Sequence, residues 1–73
     1  MKLDQLETKI LNLFIKKMGK EVEGLNLFAT IVEDMWPDDT GFYECIVMEH
    51  KDNGKVWQIE CTRTGNIKSI YEM

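Results

Sequence analysis

The chain has 73 residues, 44% of them hydrophobic, and a formal net charge of −4. A chain this short forms one small domain, residues 1–73, and this apolar content excludes a disordered polypeptide. The 13 Asp and Glu against nine Lys and Arg argue against a nucleic-acid partner, since phosphate binding needs a basic surface.

Residues 4–18, DQLETKILNLFIKKM, predict an amphipathic helix. The apolar residues that recur at helical spacing are Leu6, Ile10, Leu13, Phe14 and Met18. Asp4 and Glu7 have the spacing of a capping pair, and Gly19 follows two lysines as a stop signal. The amino-terminal stretch MKLDQLETKI lacks the uninterrupted apolar run and small-residue cleavage site of a signal peptide, and no segment has membrane-spanning length, so we expect a cytoplasmic protein.

Residues 26–36 fit two interpretations. Leu27, Ile31 and Met35 are spaced as in a helix, whereas the β-branched run from Thr30 to Val32 favours a strand. The turn-forming residues 37–41 follow. We favour a strand that opens a hairpin; the alternative is a second helix above a three-stranded antiparallel sheet.

Two short loops, Asp52–Gly54 and Arg63–Gly65, each end in glycine between apolar runs. Three-residue hairpin loops of this kind place the glycine in the left-handed conformation. The first loop then sets Cys45 opposite Cys61, and the second sets Cys61 opposite Ile67, Ile59 opposite Ser69 and Trp57 opposite Tyr71. Both loops bury the same face: Tyr43, Cys45, Val47, Trp57, Ile59 and Cys61. The predicted fold is α+β, with one N-terminal amphipathic helix packed on a four-stranded antiparallel β-meander.

The opposite sheet face carries five apolar residues by the same register. They are Phe42, Ile46, Met48, Val56 and Ile70. One helix covers only one side of a sheet, so we predict that these five form a protein interface. The other interpretation is that they are ordinary half-exposed strand residues.

Catalytic groups are scarce in this sequence. The single serine, Ser69, is expected on the buried face and the single histidine, His50, on the other, so no serine triad forms. Two isolated cysteines without a C-x-x-C spacing are poor metal ligands. We therefore expect no enzyme activity, no cofactor and no metal. Cys45 and Cys61 are expected as thiols, although their predicted opposition would allow a disulfide.

The carboxyl-terminal segment VWQIECTRTGNIKSIYE resembles the closing hairpin of PepSY-type domains. The resemblance covers residues 28–72 and rests on Trp57, Thr64, Gly65 and Ile67. The chain departs from that pattern at Thr62 and Arg63, where those domains usually carry an acidic residue. We make no family assignment from it.

The sequence thus predicts a small non-enzymatic protein-interaction module. It would form a homodimer or bind a larger protein through the apolar sheet face, without nucleic-acid or membrane partners. Two alternatives stay open. One is a phage or mobile-element inhibitor of a host protein, with nucleic-acid mimicry as one means. The other is a thiol-based redox sensor that uses Cys45 and Cys61.

Overall fold

The computed structural model describes residues 3–32 and 42–73. The elements are the helix α1 (Leu3–Met18), a 3-10 helix η1 (Gly19–Val22), and the strands β1 (Leu27–Val32), β2 (Phe42–Glu49), β3 (Val56–Thr62) and β4 (Ile67–Glu72). The strands form one antiparallel sheet in chain order. The predicted α+β meander is confirmed, and residues 27–32 form a strand, not a second helix. The predicted turn at 37–41 lies outside the described residues.

The helix α1 packs one apolar stripe on the sheet. Leu6, Ile10 and Phe14, each four residues apart, are fully buried, as helical periodicity requires. The Phe14 ring meets the Trp57 ring edge to face, with centroids 5.0 Å apart. The rest of the core comes from η1 and the strands: Val22, Ile31, Cys45, Val47, Trp57, Ile59 and Cys61.

Glu7 connects α1 to the edge strand β1. Its Oε2 accepts a hydrogen bond from the backbone N–H of Ile31, 2.8 Å away. Asp4 lies within the first turn of α1, and its Oδ1 accepts from the backbone N–H of Gln5. The predicted capping pair of Asp4 and Glu7 is therefore wrong, because the Glu7 carboxylate is used between elements.

The hairpin formed by β2 and β3 has a longer loop than the three residues predicted. The backbone N–H of Glu49 donates to the carbonyl of Lys55, and Val47 lies opposite Trp57. Cys45 therefore faces Ile59, and the predicted opposition of Cys45 and Cys61 is wrong. The ladder has moved by two residues, which is one full side-chain period, so the predicted buried face is preserved.

The hairpin formed by β3 and β4 contains a β-bulge. Cys61 lies opposite Ile67 as predicted, but Glu60 then pairs with Ser69, which leaves Lys68 as an extra residue in β4. Every later residue is displaced by one position: Ile59 faces Ile70, and Trp57 faces Glu72. The predicted pairs with Ser69 and Tyr71 are wrong because a bulge reverses the alternation beyond it.

Within residues 3–32 and 42–73, no helix is long and apolar enough to cross a bilayer.

Candidate protein-binding face

The sheet face turned away from α1, here called the outer face, carries both apolar and acidic side chains. Register and alternation place on it Phe28, Thr30 and Val32 from β1, Phe42, Glu44, Ile46 and Met48 from β2, Val56, Gln58, Glu60 and Thr62 from β3, and Ser69 and Tyr71 from β4. The apolar members lie mainly towards one end, and the carboxylates towards the other.

Four of the five predicted interface residues lie on this outer face. Phe42, Ile46, Met48 and Val56 are half-buried and stand outside the core cluster. Ile70 instead packs against the core on the α1 side. The predicted placement of Ile70 on this face is wrong, because the bulge at Lys68 turns its side chain inwards.

Phe28 was missing from the predicted set. It lies opposite Met48, which in turn lies opposite Val56, so these three side chains form one row across three strands. The ring of His50 lies 4.3 Å from the ring of Phe28, tilted by 33°. The alternation of the favoured strand could have revealed Phe28, but only with the register of that strand against β2, which the sequence pattern did not determine. We call Phe28, Ile46, Met48 and Val56 the apolar patch.

Beside the apolar patch, the outer face forms a depression of about 460 Å³. Its lining consists of Phe42, Tyr43, Glu44, Gln58, Ile59, Glu60, Lys68 and Tyr71. The volume lies within the range of about 300–1,000 Å³ that is usual for ligand sites. We call this feature the acidic depression. It depends on the bulge, because the displaced register sets Tyr71 beside Gln58.

Glu44 lies in the acidic depression and is only 7% exposed. Its carboxylate accepts a hydrogen bond from Nε2 of Gln58 on the neighbouring strand. Glu60 lies directly opposite Glu44 in the ladder. Like charges at opposed positions of an antiparallel pair destabilise a sheet.

Lys68 neutralises one of these two carboxylates. Its Nζ lies 3.1 Å from Oε1 of Glu60 and 4.3 Å from the centroid of the Phe42 ring. Among residues 3–32 and 42–73, the structure gives Glu44 no ion pair. The two carboxylates and one ammonium of the acidic depression therefore sum to one negative charge.

The two cysteines are free thiols buried in the core. Burial raises the pKa of the Cys45 thiol from its ordinary value of 9.0 to about 12, with smaller contributions from Cys61 and Glu7. Burial likewise raises the pKa of Cys61 to about 11. Reactive sensor thiols are exposed and have lowered pKa values, so these environments do not favour a redox sensor.

Ser69 and His50 are far apart, although both are on the outer-face side. The bulge places Ser69 opposite Glu60, which corrects the predicted burial of this serine. Glu60 pairs with Glu44, and His50 follows six residues later, a separation of about 20 Å along an extended strand. Within the described parts of the chain, no group of three or more His, Cys, Asp or Glu could hold a metal ion.

Comparisons of this chain with models of protein families, with curated proteins and with solved structures found no match. The resemblance to PepSY-type domains thus gains no support from a family model.

Proposed function

We propose that this chain is a small non-enzymatic module that binds a larger protein through its outer face. The observation that carries the proposal is the apolar patch, in which three side chains from three strands form a continuous row beside Ile46. A contiguous apolar area of this kind exceeds what scattered surface residues require and is typical of interaction sites.

The position of α1 supports this assignment of faces. The helix buries its stripe on the opposite side of the sheet, where Trp57 and Ile59 are almost completely enclosed. The side chains of the apolar patch retain partial exposure. Their transfer from water into an interface would supply apolar burial that a chain of this size lacks by itself.

Charge favours a different protein over a second copy as the partner. The chain has a formal net charge of −4, and the acidic depression beside the apolar patch carries one net negative charge. A basic partner surface complements both, whereas two copies repel each other. Self-association through the same apolar patch is the alternative.

An inhibitor of a host protein would use this surface in the same way. Nucleic-acid mimicry fits less well, because it needs exposed charges. On the outer face, Glu44 is buried, and Glu60 is paired with Lys68.

The double substitution Ile46→Glu and Met48→Lys tests the proposal. We expect it to abolish capture of the partner from a lysate of the source organism while the circular dichroism spectrum stays unchanged. A matched control places the same two charges on α1, through Asn12→Glu and Ile15→Lys. Asn12 is exposed and Ile15 is 42% exposed, so the control should capture the same protein as the wild type.

Sedimentation equilibrium distinguishes the two partner types. A monomeric wild type that loses a captured protein on substitution supports the larger partner, whereas a wild-type dimer that becomes monomeric supports self-association. Equal capture by all three proteins would contradict the proposal. So would a monomeric wild type that unfolds on the double substitution, because Ile46 and Met48 would then stabilise the monomer itself.

A further inference from the structure

We infer that the acidic depression binds an arginine side chain of the protein partner, with Glu44 as the carboxylate that receives the guanidinium. This inference rests on the proposed function and specifies the chemistry of the partner. Among the described residues, Lys68 pairs with Glu60, whereas Glu44, in a nearly closed position, has no cation paired with it.

A buried carboxylate without an ionic partner is costly, and an opposed carboxylate increases that cost. The arrangement of Glu44 opposite Glu60 therefore lowers the stability of the free protein. A cation that entered the acidic depression would remove this penalty. Folded proteins commonly retain such unfavourable arrangements where they serve binding.

The side chains around Glu44 favour an organic cation over a metal ion. Glu44 and Glu60 provide two carboxylates, and within the described ranges no third metal-ligating side chain joins them. Aromatic rings instead border the site. Phe42 already has an ammonium 4.3 Å from its ring centroid, and Tyr71 is 60% exposed, so its ring is accessible for stacking.

A guanidinium fits these walls better than an ammonium does. It is planar, stacks on aromatic faces and donates two parallel hydrogen bonds to one carboxylate. It is also more weakly hydrated, so it enters a nearly closed site at a lower desolvation cost. Ile46 follows Glu44 on the same face of β2. An arginine flanked by apolar residues would therefore contact the acidic depression and the apolar patch together.

The probe is the tripeptide acetyl-leucyl-arginyl-leucyl-amide, titrated into the ¹⁵N-labelled protein. We expect saturable shifts of the backbone amides of Glu44, Gln58 and Tyr71. The citrulline analogue has nearly the same shape without the charge, and we expect it to bind about tenfold or more weakly, the usual loss for a charge-assisted hydrogen bond. The lysyl analogue should bind more weakly than the arginyl peptide.

Three variants locate the site. Glu44→Gln should weaken binding of the arginyl peptide about tenfold or more, while Glu72→Gln, the same charge change at an exposed position outside the depression, should leave it unchanged. Lys68→Ala should tighten binding several-fold, because it removes the cation that the chain itself supplies. This third variant and the citrulline comparison keep the test decisive if Glu44→Gln does not fold.

Equal binding of the arginyl and citrulline peptides would overturn the inference, as would full affinity in a folded Glu44→Gln variant. Stronger binding of the lysyl peptide would overturn the assignment of a guanidinium. These results are separable from the proposed function. If the arginyl peptide fails while Ile46→Glu with Met48→Lys still abolishes capture, only the arginine site is lost. If the peptide binds and capture survives that double substitution, the apolar patch is not the interface.

Discussion

At the residue scale, the two hairpin loops use left-handed conformations at different positions. Gly65 has φ of +99°, as expected from its loop, whereas in the first loop Asn53 has φ of +59° and Gly54 is outside the left-handed region. Asparagine tolerates this region better than most residues. Gly54 is needed for space instead, because a Cβ there would lie 2.6 Å from Cβ of Glu49.

We expect Gly65→Val and Gly54→Val each to lower the free energy of unfolding by about 1 kcal/mol or more. In the first variant a β-branched residue is strained at positive φ, and in the second the added atoms collide with β2. Asn53→Gly serves as the control and should change stability only slightly, since glycine adopts the same φ without strain. Urea unfolding measures all three. Wild-type stability in Gly65→Val would contradict the left-handed assignment.

At the element scale, the sequence predicted the helix, the number of strands and the buried face. Leu6, Ile10 and Phe14 keep one period throughout α1, and in the strands the alternation survives a register shift of two residues. These features follow from patterns that many residues share, so one incorrect turn does not disturb them.

The strand registers of β2 with β3 and of β3 with β4 could not be predicted from the sequence pattern. The longer first loop depends on the conformation of Asn53 and the close approach of Gly54, both of which are local features. The bulge places two polar residues, Lys68 and Ser69, between the inward Ile67 and Ile70; this breaks the alternation but does not show which strand carries the extra residue. Of the candidate site, the apolar patch was therefore mostly predictable. The acidic depression was not, because Tyr71 reaches it only through the bulge.

The contact between α1 and β1 gives a prediction for Glu7. Glu7→Ala removes the acceptor of the partly buried Ile31 N–H, and we expect a loss of about 1–3 kcal/mol of stability. Glu7→Gln retains an acceptor oxygen and should lose less. Glu21→Ala, an exposed position of η1, provides the control for loss of a glutamate. Urea unfolding of the wild type and the three variants measures these differences. A stability of Glu7→Ala equal to that of the wild type would show that this hydrogen bond does not contribute.

At the scale of the whole molecule, a single layer of core joins α1 to the sheet, and both thiols lie in it. Unfolded cysteines ionise near their ordinary pKa of 9.0, whereas the folded protein holds these protons until about pH 11 for Cys61 and about pH 12 for Cys45. The raised pKa values mean that the native state binds more protons in this interval. The contribution of the two thiols to the free energy of unfolding is therefore fully present below pH 9 and is lost as the pH rises above 9.

We accordingly expect the urea midpoint to fall between about pH 9 and pH 10.5. The double variant Cys45→Ala and Cys61→Ala should be less stable at pH 7, because it leaves cavities, but its midpoint should fall less steeply over this interval. Parallel pH profiles for the two proteins would assign the alkaline loss to other groups.

The bulge in β4 gives the chain an unusual tolerance to deletion. Removal of one residue from a strand normally exchanges the inward and outward sides of everything beyond it. Lys68 is the residue without a counterpart in β3, so its loss would join Ile67 directly to Ser69. Ile70 would still lie opposite Ile59, and Tyr71 opposite Gln58. A three-nucleotide deletion at this codon would thus preserve the fold and remove the cation beside Glu60, whereas loss of a codon beyond Ser69 would change which side chains enter the core.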